Sequence, residues 1–214
     1  MNLATYISIL SEIAGKPFDY PTQVKARELI IAARQQLIRQ QYDKTKTFPA
    51  SALMSVCIDV EERSSSECCG IDLGCKVIVS KQEIPLPLDV KDEVLFEFVG
   101  DVIGMFPFGF IKPSEIPLIK YRKFSSKLPY YSWINRRLVY FNVPGLEKSK
   151  LRYVPADPTE LAAFSNCDTN KPCFDIDETS IIEGHWVNTI SDIVLPKLVP
   201  GIERQIKTNE DGKF

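Results

Sequence analysis

The chain has 214 residues, 44% of them hydrophobic and 25% charged, with a formal net charge of −2. That balance excludes a disordered chain and is enough to bury a core without staples. It also excludes a whole-molecule electrostatic pull toward nucleic acid or acidic membranes, and no apolar run approaches the ~20 residues of a membrane span.

Residues 2–14 are predicted to form a short helix, because Leu3, Tyr6, Ile7, Leu10 and Ile13 recur at helical spacing before Gly15. A turn with Pro17 and Pro21 leads into a second helix over roughly 21–43. There Ile30, Ala33 and Leu37 share a stripe, with Ile31, Ile38 and Tyr42 beside it. After Pro49 the character changes to β. Strands are expected at 53–61 and Cys75–Ser80, joined by a loop holding Ser64–Ser66 and Cys68–Gly74. Pro85 and Pro87 break the pattern, and 93–103 reads as a buried strand bent at Gly100. Residues 131–143 read as a hairpin turning at Asn135-Arg136, and Leu151–Pro155 as a last strand.

Asp157 then opens a short helix ending near Phe164, and Ser165–Asp177 is a loop with Cys167 and Cys173. Ser180 and Glu183 have capping-box spacing ahead of a final helix striped by Ile182, Trp186, Ile190, Ile193 and Val194. Pro196 is expected to kink or end it. The fold class is therefore α+β: an N-terminal helical hairpin, a central mostly antiparallel β-region and a C-terminal helix. We read 1–203 as a single domain (1–48 helical hairpin, 50–156 β-rich, 157–203 helical) and 204–214 as a loose polar tail.

Cys68, Cys69 and Cys75 with Cys167 and Cys173 offer thiols for a four-thiolate zinc site. An adjacent pair and two C-x5-C spacings match the usual zinc knuckle poorly. The start of the chain lacks the basic and apolar regions of a signal peptide, so the six cysteines are expected to stay reduced and act as small apolar groups. A Cys167–Cys173 or inter-loop disulfide is the lesser alternative. The one histidine, His185, has no partner of the kind catalysis requires. Asp175, Asp177 and Glu178 are expected to favour the N-terminal dipole of the last helix. Gly100 and Gly104 do not make a phosphate loop. No catalytic residue, metal ligand or cofactor is assigned, and the chain is read as not an enzyme.

Two stretches point to contacts. Lys120, Arg122, Lys123, Lys127, Arg136 and Arg137 are interleaved with Tyr121, Tyr130 and Tyr131. This is a solvated or protein-binding surface, with nucleic acid as the alternative. Met105–Ile111 packs bulky apolar groups around Pro107 and Gly109. It either folds back on the core or docks on a partner through Met105, Phe106, Phe108 and Phe110.

The order of segments carries a resemblance. It runs LIIAARQQLIRQQYDK, CIDVE, SECCGIDLGCKVIVSKQEIP, RLVYFNV, DPTELAAFSNCD with PCFDID, and IIEGHWVNTISDIVLPKL. This resembles the virion structural proteins of crAss-like phages and related podoviruses. The resemblance implies a neck or connector ring between portal and tail, built from copies of the chain in a closed ring, expected to be a dodecamer. Portal and other neck or tail proteins are the implied partners. DNA would pass through the channel without sequence-specific binding, and no membrane is involved. The implied location is the virion, with the host cytoplasm during assembly. The alternative is a small zinc-binding or redox-active cysteine module.

Overall fold

The computed structural model describes residues 2–64, 76–90 and 96–199. The expected Cys68–Gly74 loop, Cys75, the start of the 93–103 strand and the 204–214 tail lie outside the described residues. The chain divides into two compact units, one of residues 1–52 with those from 174 onward, the other of residues 53–173.

The first unit is helical. Helix α1 (Leu3–Ile13) is capped by Asn2, whose side chain accepts from the Thr5 N–H at 2.8 Å. Helix α2 (Tyr20–Thr45) starts at Asp19, which accepts from the Thr22 N–H at 3.0 Å. It stops at Lys46, which takes a left-handed conformation with φ 56°. Helix α3 (Val187–Leu198) packs with α1 on α2. The stripes read from the sequence are the buried ones: Leu3, Tyr6 and Leu10 on α1, Ile30, Ala33, Leu37 and Ile38 on α2, Ile190 and Val194 on α3. Polar ties supplement them. Tyr6 donates its hydroxyl hydrogen to the Val187 carbonyl at 2.7 Å, and Arg34, only 1% exposed, donates through Nε to the Ile181 carbonyl at 3.1 Å.

The entry to α3 differs from the expectation. Residues 180–183 are non-helical, and a single 3-10 turn, Gly184–Trp186, precedes α3. Ser180 and Glu183 make no capping box, because the Glu183 carboxylate accepts from the Ser51 hydroxyl instead. Nor does Pro196 end the helix, which runs on to Leu198. Near a helix C-terminus a proline interrupts little that follows.

The second unit is a seven-stranded sheet in the order β3-β7-β1-β2-β6-β5-β4. Its strands are β1 (Met54–Ser64), β2 (Lys76–Ser80), β3 (Phe98–Gly100), β4 (Gly109–Phe110), β5 (Tyr130–Ile134), β6 (Arg137–Phe141) and β7 (Lys148–Tyr153). All pairings are antiparallel except β4 with β5, which is parallel. The expected turn at Asn135-Arg136 is present: both residues have positive φ, 49° and 60°, and Ile134 faces Arg137 in a two-residue hairpin.

The end strands also meet. Phe108 N–H donates to the Val99 carbonyl at 2.8 Å, and Gly100 bridges Pro107, so β3 turns back into β4 and the sheet closes on itself. Gly100 is required there, since a Cβ would fall on the Phe106 carbonyl and the Phe98 ring. The expected strand at 93–103 is thus only three residues long among those described, and the chain turns at Asp101. Inside, Val56, Ile58 and Val60 of β1 alternate with more exposed residues. Phe96 lies edge-on to Trp133 and Tyr153 at 5.1 and 5.5 Å.

Strand β2 covers only the second half of β1. The first half is covered by the 164–173 segment, which folds as a hairpin through the Ser165–Pro172 bridge. Cys57 N–H donates to the Ser165 carbonyl at 2.8 Å, and the Cys173 thiol donates to the Ser55 carbonyl at 3.4 Å. A Cys57–Cys167 disulfide, with Cα atoms 4.7 Å apart, fixes this cover. The expectation of six free thiols, and the Cys167–Cys173 alternative, are corrected here. The two cysteines are 110 residues apart in sequence, so spacing gives no hint of the pair.

Two outcomes follow from this packing. Leu37→Asp buries an unpaired charge in the helical unit and is expected to cost roughly 4 kcal/mol or more, read as loss of soluble, cooperatively melting protein. Reduction should lower the melting temperature of the wild type through a loss of about 2–4 kcal/mol, while Cys57→Ala starts low and is insensitive to reductant.

Candidate functional site

Residues 101–106 form a tight loop between β3 and β4, organised by Asp101. Its Oδ1 accepts from the Phe106 N–H at 2.8 Å, and its carbonyl accepts from the Gly104 N–H at 3.1 Å. Gly104 has φ 82°, a conformation that disfavours any side chain. The loop is therefore fixed at its base, yet its apolar groups face solvent: Ile103 is 75% exposed, Met105 70% and Phe106 66%. Exposed apolar groups this large on a loop of fixed backbone make it a candidate interaction surface.

The four residues singled out from the sequence divide into two pairs. Met105 and Phe106 sit on the tip. Phe108 is half-buried, its ring edge-on to buried Tyr140 at 6.0 Å, and Phe110 is partly exposed, 5.5 Å from the Tyr131 ring. Ile111, at the end of the same stretch, is buried with Ile116, Ile119 and Tyr130. Ile103 belongs to the tip and was missed, because the sequence assigns it to the preceding strand.

The basic stretch is displayed differently. A 3-10 segment, Pro113–Tyr121, packs Ile116 and Ile119 against the outside of the sheet. The turns after it are tied down by Tyr130, whose hydroxyl donates to the Ser125 carbonyl at 3.0 Å, and by Asn142, whose amide donates to Ser126 and Leu128. Arg122 pairs with Glu115 at 2.9 Å, and Arg136 with Glu160 at 3.4 Å. A groove of about 640 Å³, lined by Val77, Ile116, Pro117, Lys120 and Phe141 among others, runs along the 3-10 segment.

The acidic residues Asp175, Asp177 and Glu178 are exposed on a turn well before α3, whose first turn holds no carboxylate. They do not serve its dipole as expected. The Asp175 side chain caps the Asp177 N–H at 2.8 Å. His185 is exposed, with Nε2 3.3 Å from Glu183.

Of the thiols, Cys167 is committed to its disulfide, and burial pushes the Cys173 thiol up to about 11, which keeps it protonated at neutral pH. Cys68, Cys69 and Cys75 lie outside the described residues. Among the described residues no three His, Cys, Asp or Glu side chains gather as metal ligands, and no helix is long and apolar enough to cross a membrane.

Among curated proteins, none matches this chain. A family model described as phage tail ring protein 2 matches residues 17–212, which takes in both structural units. The chain belongs to this family of crAss-like phage ring proteins, structural components of the virion.

Proposed function

We propose that the protein is a non-enzymatic subunit of a closed ring in the neck, joining portal and tail, and that the 103–106 tip is its inter-subunit contact. The observation that carries this is the ordered apolar tip, whose loop geometry is complete while its three large side chains find no cover within the described residues. Identical copies meeting head to tail close into a ring when the rotation between them closes. A tip of this kind enters the next copy as a central apolar anchor. A dodecamer matches a portal of twelvefold symmetry, and DNA passes through the channel without sequence-specific contacts. Assembly takes place in the host cytoplasm on the neighbouring ring.

Native mass spectrometry of the chain mixed with purified portal and neighbouring tail proteins tests the reading. The wild type is expected to form a closed ring on its neighbours and to be a monomer or weak oligomer alone. Met105→Asp with Phe106→Asp should melt within a few degrees of the wild type yet fail to form rings, since a desolvated charge at a packed interface costs about 3 kcal/mol or more per copy. Phe108→Asp is unsuited to the purpose, because that ring packs on Tyr140 and its loss also disturbs the sheet. A wild type that never associates with portal or tail proteins sinks the proposal.

A further inference from the structure

We infer that the 112–128 segment is a second ring contact, a cationic and apolar face that docks on the acidic 175–178 turn of the adjacent copy. This rests on the ring reading above and names a contact distinct from the 103–106 tip.

The chain is near neutral as a whole, but its charges are segregated. From Lys112 to Lys127 five cations (Lys112, Lys120, Arg122, Lys123 and Lys127) stand against the single carboxylate of Glu115. That carboxylate is taken by Arg122. The four lysines have no carboxylate partner among the described residues and all are exposed. Between Lys171 and Lys197, in contrast, there is no Lys or Arg at all. Asp175, Asp177 and Glu178 lie in that stretch, exposed, around a partly exposed Ile176.

Both faces are built, not merely charged. Beneath the cationic one, the Tyr130 and Asn142 hydrogen bonds hold the turns, while Phe124, 90% exposed, Tyr121, Leu118 and Leu128 face outward. The Lys120 and Lys123 amines lie over the Tyr121 and Phe124 rings at 5.0 and 5.3 Å. The acidic turn is held by Ala4, whose N–H donates to the Ile176 carbonyl at 3.3 Å, and by a Thr179 N–H bond to the Asp175 carbonyl at 2.8 Å.

Two considerations select a second copy as the occupant. In a ring of identical chains each face that meets the next copy must find its complement on the same chain, and this sequence supplies one of opposite charge around the partly exposed Ile176. Nucleic acid rewards lysines and aromatic rings, but leaves two exposed leucines, Leu118 and Leu128, without a partner.

The test uses rings assembled on the neighbouring tail proteins from a mixture of isotope-labelled and unlabelled copies. A zero-length carbodiimide reagent should join Lys120 or Lys123 to Asp177 or Glu178 in mixed-isotope pairs. Lys120→Glu with Lys123→Glu should weaken ring formation about tenfold or more. Asp177→Lys with Glu178→Lys should do the same, and the four substitutions together should restore part of the loss, since the contacts among those four positions are then reversed in sign. Melting curves check that these surface changes leave the fold intact. Wild-type rings without those cross-links, or a four-residue variant no better than either pair, would overturn the inference and leave the ring reading standing. So would a lysine variant that forms normal rings but loses binding to a short duplex DNA. Failure of the wild type to form any ring overturns the parent reading, and this contact with it.

Discussion

The hydrogen bond from Phe108 to Val99, made possible by the bare Cα of Gly100, is the constraint on which the β unit depends. Without it the seven strands would end in two open edges, at β3 and β4. Open edges invite pairing with any other chain, which is hazardous for a subunit gathered with its copies at high local density. Closure removes that route and leaves side-chain surfaces as the means of association. The same residues that close the sheet also set the 101–106 loop on its rim, so protecting the edge and displaying the apolar tip are two results of one turn. The 164–173 hairpin does the equivalent for the first half of β1, which β2 leaves uncovered.

In the helical unit the decisive polar group is Arg34. A guanidinium this deeply buried is tolerated only when hydrogen-bonded. Its bond to the Ile181 carbonyl fixes the extended approach to α3 in place of the helical start that the sequence suggests. Tyr6, bonded to the Val187 carbonyl and paired with Ser191, holds α3 to α1 at the next point along. Upstream of both, α1 binds the acidic turn through the Ala4 N–H. The turn is therefore tied to α1 directly, and the chain that follows it is held to α2 through Ile181 and to α1 through Val187.

The helices were legible because their signals are local: periodic apolar stripes, with Gly15 after the first and Pro21 before the second, while the caps Asn2 and Asp19 emerge only in the structure. The Asn135-Arg136 turn was legible for the same reason, since strand alternation on both sides leaves two residues between. What the sequence hides is non-local. The two-residue parallel strand β4 has no pattern of its own, and its pairing depends on β5 some twenty residues away. The Cys57–Cys167 pair joins a strand to a hairpin across most of the β unit. Ser180 and Glu183 had the right spacing for a capping box, yet Ser51, distant in sequence, took the carboxylate. For the candidate interface, the apolar stretch was visible but its division was not. Only closure of the sheet decides that Met105 and Phe106 stand on the rim, that Phe108 turns to Tyr140, and that Ile103 joins the exposed set.

A net charge of −2 conceals how unevenly the charge is distributed, and the distribution matters more than the sum for a chain that meets itself. Apolar and charged contacts contribute differently to such an encounter. An apolar anchor, the part proposed for the 103–106 tip, lengthens the life of a contact once formed, chiefly by slowing dissociation. It gives little guidance on approach, because exposed apolar groups stick in many orientations. Opposed charge acts at longer range, up to roughly 8 Å at physiological salt, and penalises wrong registers where like charges face each other. A ring closes only when every copy adopts the same rotation relative to the last, so errors of register accumulate around it. In the proposed ring, pairing a cationic face with an acidic turn would correct orientation at each step and leave the apolar tip to hold what has been correctly placed.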